Sequence, residues 1–177
     1  MARQQVIHRI DDMGASFYGR EATALARTDP TANRFVSLSP AIAQQLQQQA
    51  QAAWPAECAA ILGGHRASPP ADGHLTIRQL VVVPNRSAAT DRFVIDPADF
   101  AAALRAFADR DQQWLGFAHS HPGGSTALST IDRRELWTGC LQTIIAPQAD
   151  GSCPRAHHWA EADGDRSWYP LNERPFA

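Results

Sequence analysis

The chain has 177 residues, and its 16 basic and 18 acidic side chains give a formal net charge of -2. This balance lacks the clustered positive charge that binds a phosphate backbone, so we expect no nucleic-acid partner. No apolar run reaches the roughly 18 to 20 residues that span a bilayer, and the N-terminus lacks the apolar stretch of a secretion signal, so we expect a cytoplasmic protein without a membrane partner. The three cysteines are scattered and form no CxxC pair, which argues against a disulfide framework.

The length favours one domain with an appended arm. Residues 1–34 show no sustained helical or strand period and are predicted to form an N-terminal arm or extension, whereas residues 35–177 carry the domain. Recognition of a partner, dimerisation and covering of a sheet edge are alternative roles for the arm.

From residue 35 onward, strand and helix patterns interleave without strict βαβ repetition, which predicts a mixed α/β or α+β domain. Strand patterns occur in RFVSL, CAAILGG, LTIRQLVVVP, FVI, QWLGFAHSH, LQTIIAP, RAHHWAE and RSWYPL. Helix patterns occur in AIAQQLQQQAQAAW, in the segment that begins at DPAD, and in IDRRELWTG.

The two longer predicted helices each show one apolar face and a start signal. Ser39 and Pro40 supply an N-cap and a first-turn proline. The first helix is expected to bury residues that recur every four positions, which are Ile42, Leu46, Ala50 and Trp54. The second begins at Asp96 and is expected to bury Phe100, Leu104 and Phe107.

The stretch HSHPGGSTALSTID, residues 119–132, has the spacing of a metal site. On a strand, His119 and His121 point to one face about 6 to 7 Å apart, so both imidazoles can reach one ion about 2 Å from each nitrogen. The Pro-Gly-Gly break turns the chain, and Asp132 returns a carboxylate. Two imidazoles and one carboxylate are typical of catalytic zinc, whose fourth position holds water. The pattern therefore predicts hydrolysis, which also requires a nearby glutamate as proton carrier.

Other interpretations exist for each part of this pattern. A strand histidine is usually a packed residue, and STID alone reads as a helix cap. A deaminase-type zinc site would need HxE and PCxxC, and a serine nucleophile would need GxSxG, and the sequence has neither. A second zinc site is not expected, because no compact ligand spacing relates Cys140, Cys153, His157 and His158.

Taken together, these residues resemble the JAMM metalloproteases, the catalytic MPN domains that include deubiquitinases and bacterial relatives acting on ubiquitin-like or sulfur-carrier proteins. The resemblance rests on Glu57 in AECAAILGG, on the HSHP of residues 119–122, and on Ser129 and Asp132. The segments VPNRS and FVIDP extend it over most of the chain from about residue 35.

The resemblance implies an α+β, MPN-type fold similar to that of cytidine deaminases, with a curved mixed sheet flanked by helices. It makes His119, His121 and Asp132 the ligands of one catalytic Zn²⁺. It also makes Glu57 the general acid and base on the metal-bound water, and Ser129 an oxyanion donor. Without the resemblance, Glu57 would be interpreted as a surface acid and Ser129 as a helix cap.

The same resemblance implies a zinc-dependent peptidase or isopeptidase that cleaves after the C-terminal glycine of a ubiquitin-like or sulfur-carrier protein. Such a tail is held as an added strand against a loop and a sheet edge. Asn85, Arg86 and Ser87 are candidates for tail contacts. Maturation of a carrier precursor and cleavage of conjugates made by E1-like and E2-like partners are alternatives. A non-catalytic MPN scaffold is the other class of function, although scaffold members typically lose metal ligands.

Overall fold

The structure, a computed structural model, describes residues 35–67, 74–137, 139–162 and 167–176. The predicted arm over residues 1–34 lies outside the described residues. The described part of the chain contains seven strands and three helices, which are β1 (Phe35–Leu38), α1 (Pro40–Ala53), β2 (Ala59–Arg66), β3 (Leu75–Val83), α2 (Pro97–Ala108), β4 (Gln113–Ser120), α3 (Thr130–Glu135), β5 (Leu141–Ile145), β6 (His157–Ala162) and β7 (Ser167–Glu173).

The strands form one mixed sheet that closes into a barrel in the order β1-β3-β2-β4-β5-β6-β7. Parallel pairing joins β1 to β3, β4 to β5, and β1 to β7, and the last of these places Phe35 opposite Asn172. The other neighbours pair in antiparallel fashion. The parallel β4–β5 pair requires a crossover connection, and α3 lies within it.

Helix α1 begins and packs as its sequence predicts. The Ser39 side chain accepts a hydrogen bond from the amide of Ile42 at 3.3 Å, and Pro40 occupies the first turn. Ile42, Leu46 and Ala50 are buried in the core cluster that also contains residues of β1, β2, β3 and β5. Helix α1 therefore covers one side of the sheet.

Helix α2 packs in a second apolar cluster. Asp96 caps it by accepting from the amide of Ala98 at 2.8 Å. Its buried residues are Phe100, Ala103 and Phe107, whereas the predicted Leu104 is only partly buried. These side chains share a cluster with Ile61 and Phe117 of the barrel strands.

Three local predictions were wrong. Trp54 is 38% exposed rather than buried. Residues 93–95 form no strand. The strand predicted in CAAILGG does not end at Gly64 but continues through Arg66.

The strand that carries the predicted metal ligands is held closely on both sides. A Cβ at Gly116 would collide with the carbonyl oxygen of Leu141, so glycine allows β4 and β5 to approach. On its other side, β4 pairs with β2 in a register that places Ala59 opposite His119. Within the described residues, no helix has the length and apolar character needed to cross a membrane.

Candidate metal centre

Strand β4 brings the two histidines together. His119 lies within β4 and is fully buried, and His121 follows Ser120, the last residue of the strand. The amide of His121 still donates to the carbonyl of Ile145 at 2.8 Å, so the chain remains extended there. Since alternate side chains of an extended chain share a face, the Nε2 atoms of the two imidazoles lie 3.1 Å apart.

The carboxylate of Asp132 faces both imidazoles from the start of α3. Its Oδ1 lies 3.3 Å from Nε2 of His119, and its Oδ2 lies 3.1 Å from Nε2 of His121. Ser129 is the N-cap of α3 and forms a capping box with this aspartate. The amide of Asp132 donates to Ser129 Oγ at 3.0 Å, and the amide of Ser129 donates to Asp132 Oδ2 at 2.7 Å. The helix cap thus fixes the orientation of the carboxylate.

The three ligand atoms have the mutual spacing that a tetrahedral cation requires. They all lie within 4.8 Å of one another. Bonds of about 2.0 to 2.2 Å to a tetrahedral zinc ion separate the ligand atoms by about 3.3 Å. The contacts among His119, His121 and Asp132, at 3.1 to 3.3 Å, match this separation. The three side chains can therefore bind a metal ion in the arrangement that they already have.

Surrounding groups fix the two rings. The carbonyl oxygen of Ser125 lies 2.8 Å from Nδ1 of His121, and since a carbonyl only accepts, Nδ1 carries a hydrogen and the neutral ring keeps its lone pair on Nε2. Phe93 packs on His119, with ring centroids 4.8 Å apart. The His119 Nδ1 atom is buried and has no hydrogen-bond partner within the described structure.

Burial and mutual hydrogen bonding set the protonation of these groups. Burial raises the pKa of Asp132, but the hydrogen bonds from the two histidines outweigh this effect and hold the pKa well below its usual value. Burial lowers the pKa of His119, and the opposing effect of Asp132 is smaller. For His121 burial also lowers the pKa, but the hydrogen bond and charge of Asp132 more than offset this and raise it. An ionised carboxylate and neutral imidazoles are the forms that bind metal, so a metal ion at His121 competes with the proton that Asp132 helps to hold there.

Glu57 lies in the segment between α1 and β2, and only 5% of it is exposed. The amide of Cys58 donates to Ser120 Oγ at 2.8 Å, which ties this segment to the end of β4. The side-chain amide of Asn85 donates to the carbonyl of Glu57 at 3.0 Å. Glu57 Oε2 itself is buried without a hydrogen-bond partner among the described residues.

The charge state of Glu57 depends on the metal ligands. Burial raises its pKa to about 8, while the charge of His121 lowers this pKa and the charge of Asp132 raises it. Glu57 therefore responds to the charge of two of the three candidate ligands, His121 and Asp132. The register that sets Ala59 opposite His119 brings the chain before β2 alongside the end of β4, where the histidines lie.

The sequence profile of the prokaryotic homologues of the JAB domain matches residues 39–168. The chain belongs to this family. The match includes Glu57, both histidines and Asp132. The family includes hydrolases, but its members often lack the metal-binding motif. No protein with a curated description matches the chain.

Solved structures share the fold of this JAB domain. The solution structure of protein DSY2949 from Desulfitobacterium hafniense has a TM-score of 0.69 and 17% sequence identity, over 80% of this chain and 92% of that chain. The solution structure of a protein from Salinibacter ruber has a TM-score of 0.58 and 26% identity, over 78% of this chain and 91% of that chain.

Asn85 organises the loop of the JAB domain between β3 and α2. Its Nδ2 also donates to the carbonyl of Arg92 at 3.1 Å, and its Oδ1 accepts from the amides of Ser87 at 2.9 Å and Val94 at 3.0 Å. Arg86 forms an ion pair with Asp99 at 3.3 Å near the surface. The predicted role of Asn85, Arg86 and Ser87 in substrate contact stays a prediction, and the geometry gives Asn85 a structural role as well.

Sequence reasoning missed an apolar pocket beside Asp132. The pocket is lined by Arg92, Phe93, Val94, Ile95, Phe100, Phe117, Ile131, Asp132, Glu135, Leu136 and Trp137. Arg92 lines the pocket, and its charge lowers the pKa of Glu57. The apolar letters of FVIDP signal burial of this segment, but they do not reveal which side chains line a pocket.

Proposed function

We propose that this JAB-domain protein is a zinc-dependent peptidase or isopeptidase that hydrolyses the bond after the C-terminal glycine of a ubiquitin-like or sulfur-carrier protein. The observation that carries the proposal is the complete set of ligands with a buried carboxyl group, Glu57, held beside it. Because members of the family often lack the motif, the proposal rests on these side chains and not on family membership.

His119, His121 and Asp132 would hold the zinc ion. When bound, zinc supplies Lewis acidity, which lowers the pKa of a coordinated water toward about 7 and polarises the carbonyl group of the substrate. Three protein ligands leave room for that chemistry, whereas a structural zinc site uses four. The ionised Asp132 also supplies one of the two negative charges that balance a divalent cation.

Glu57 is suited to carry the proton. Without metal, burial keeps its pKa at about 8. A nearby cation favours the carboxylate and lowers this pKa toward the working pH, where a group accepts and returns a proton most effectively. Glu57 then takes a proton from water and donates it to the departing amine.

Ser129 is the proposed donor to the carbonyl oxygen of the substrate. Its Oγ accepts from the amide of Asp132, so the hydroxyl hydrogen remains available for donation. A donor aimed at developing negative charge stabilises the transition state. Helix capping and oxyanion stabilisation are compatible roles for this residue.

The barrel determines where a substrate tail could lie. The short strand β1 pairs only with Leu75–Ile77 at the start of β3, so within the described residues the later part of β3 pairs with β2 alone and leaves its other edge for an added strand. The tail is therefore assigned to this edge and the loop at residues 84–96 that follows it, with an apolar side chain upstream of the glycines in the pocket beside Asp132. Glycines at the end of the tail permit close approach of the backbone to the buried centre.

Substitution of Glu57 distinguishes a zinc-dependent enzyme from a non-catalytic scaffold domain. We expect Glu57→Gln to lower kcat/KM at least about 100-fold while leaving zinc content unchanged, because it removes the proton carrier and no ligand. The substrates are a sulfur-carrier precursor extended beyond Gly-Gly and a ubiquitin-like protein joined to a peptide lysine. Cleavage is followed by mass spectrometry, and zinc is measured in the same samples.

Glu173→Gln is the matched control, since this glutamate pairs with Arg155 on the surface. It should cleave like the wild type. A zinc-loaded wild type that cleaves neither substrate, or a Glu57→Gln variant as active as the wild type, would contradict the proposed function. A scaffold domain would give the first of these results.

A further inference from the structure

The exposed Trp54 lies at the end of α1, where the helical pattern led us to expect burial. Its 38% exposure contrasts with full or nearly full burial of Leu46 and Ala50 on the same helix. Tryptophan is usually well buried in a folded protein. At interfaces, tryptophan is enriched among the residues that contribute most to binding. An exposed indole in an otherwise ordered region is therefore a candidate for contact with a binding partner.

The indole lies at the loop that follows the candidate metal ligand His121. A Cβ built on Gly123 would be 3.5 Å from Cη2 of Trp54, so the ring reaches the loop that follows His121. Gly123 has a φ of 67°, a conformation that favours glycine, and its amide donates to the carbonyl of Pro147 at 2.8 Å. On its other side, Trp54 precedes Glu57 by three residues. Trp54 thus connects the segment of the proton carrier with the loop of a metal ligand.

Neighbouring hydrogen bonds hold this region in place. The amide of Trp54 donates to the carbonyl of Gln51 at 3.2 Å, and the side chain of Gln51 donates to the carbonyl of Gly151 at 2.7 Å. Because its surroundings are already ordered, the indole would lose less conformational entropy on binding than a side chain on a mobile loop.

The apolar pocket approaches the centre from a different side. Asp132 lines that pocket, whereas Trp54 and Gly123 do not. The centre is therefore flanked by the pocket next to Asp132 and by the indole next to His121. If the pocket and the loop at residues 84–96 hold the tail, the indole is left for the chain on the other side of the scissile bond.

We propose that Trp54 binds the leaving-group side of the substrate, packing against the polypeptide around the acceptor lysine. This inference rests on the proposed function and adds a specificity for the leaving group of the substrate. It commits the protein to peptide or protein leaving groups, in preference to a small amine.

Two substrates that differ only in the leaving group test this role. Both carry the same ubiquitin-like protein ending in Gly-Gly, one as a coumarin amide and the other joined to the lysine of a peptide of about ten residues. The measured quantity is kcat/KM for the peptide conjugate divided by kcat/KM for the coumarin amide. We expect Trp54→Ala to lower this ratio about tenfold, as for an interface residue of above-average importance.

Two further variants separate binding from folding. Trp54→Phe keeps an aromatic ring and should retain most of the ratio, whereas Gln48→Ala, at an exposed position of α1, should leave it unchanged. Thermal unfolding of each variant reports any loss of stability. A merely structural Trp54 would lower cleavage of both substrates in parallel and leave the ratio unchanged.

An unchanged ratio in Trp54→Ala would overturn the inference while the zinc-dependent cleavage of both substrates upholds the proposed function. A wild type that cleaves the coumarin amide but not the peptide conjugate would also overturn the inference alone. Absence of cleavage of either substrate by the zinc-loaded wild type overturns both proposals.

Discussion

The burial of Glu57 is the feature of single residues with the largest electrostatic consequence. A buried carboxyl group with one oxygen that has no hydrogen-bond partner among the described residues is costly to ionise. Its pKa of about 8 expresses this cost, and the nearby Asp132 charge adds to it. The metal-free protein thus holds an uncharged Glu57 at neutral pH, and a bound cation would favour ionisation.

The pH dependence of stability should reveal this buried carboxyl. Its pKa rises from 4.5 to about 8 on folding. The protonated Glu57 contributes its full stabilisation below pH 4.5, the pKa of the unfolded chain. This contribution is lost as the pH rises through about 8, the pKa in the folded protein. Since Glu57→Gln mimics the protonated form, we expect the variant's free energy of unfolding to exceed that of the wild type increasingly across this range.

Urea unfolding of both EDTA-treated proteins at the two ends of the range measures the difference. The difference between the two proteins reports the ionisation of Glu57 together with the effect of its charge on the pKa of His121. A difference in unfolding free energy that does not change with pH would contradict an uncharged, buried carboxyl group.

The sequence allowed the three ligands to be predicted because they lie close together along the chain. His119 and His121 share a face of extended chain, and Asp132 returns through a short loop. The burial of Glu57 could not be predicted in this way, because it depends on the register that sets Ala59 opposite His119. Its assignment came from the resemblance alone.

The exposure of Trp54 has a simple geometric cause. Each residue of an α-helix turns the chain by about 100°, so a step of four residues overshoots one turn by about 40°. Over the three steps from Ile42 to Trp54 the direction drifts by about 120°. In a helix of this length, residues spaced strictly four apart therefore rotate away from the buried face, and the last of them points toward solvent.

Among the elements, the short helix α3 depends most on its cap. It has only six residues, and isolated helices of this length are unstable. We expect Ser129→Ala to lower the free energy of unfolding of the metal-free protein by about 1 kcal/mol, because the amide of Asp132 loses its acceptor. Urea unfolding measures the loss, and Ser129→Thr, which keeps the acceptor, should show less of it. Equal stability of the alanine variant and the wild type would contradict the capping role.

The absent strand at residues 93–95 has a cause that the sequence pattern does not contain. The side chain of Asn85 bonds the carbonyl of Arg92 and the amide of Val94, and the amide of Arg86 donates to the carbonyl of Val94 at 2.8 Å. These bonds satisfy backbone groups that would otherwise need a neighbouring strand. Ile95 is buried, but the strand predicted from the apolar letters FVI does not form.

At the scale of the whole molecule, closure of the barrel was beyond sequence reasoning. The β1–β7 pairing joins Phe35 to Asn172, residues at opposite ends of the described chain. No short-range period signals such a contact, because parallel pairing of distant strands depends on the whole arrangement. The positions of most strands along the chain and the presence of three helices, in contrast, follow from local sequence patterns.

Metal binding should stabilise the entire fold. The ligands join β4 to α3 in the folded chain, so zinc at about 100 times its Kd should add about 2.7 kcal/mol to the free energy of unfolding. Thermal unfolding with zinc and with EDTA measures the gain. Asp132→Asn keeps the shape of the side chain but removes its charge, and it should abolish most of the response. An identical response in this variant would place the metal elsewhere.

The register of β2 against β4 has one further implication. The candidate metal ligands come from the end of β4 and the crossover that follows it, whereas Glu57 comes from the chain before β2. A slip of one residue between these strands would turn Glu57 to the opposite face and leave the candidate metal site intact. The geometry of the metal site and the placement of Glu57 therefore depend on different parts of the barrel, linked by the backbone alignment of two neighbouring strands.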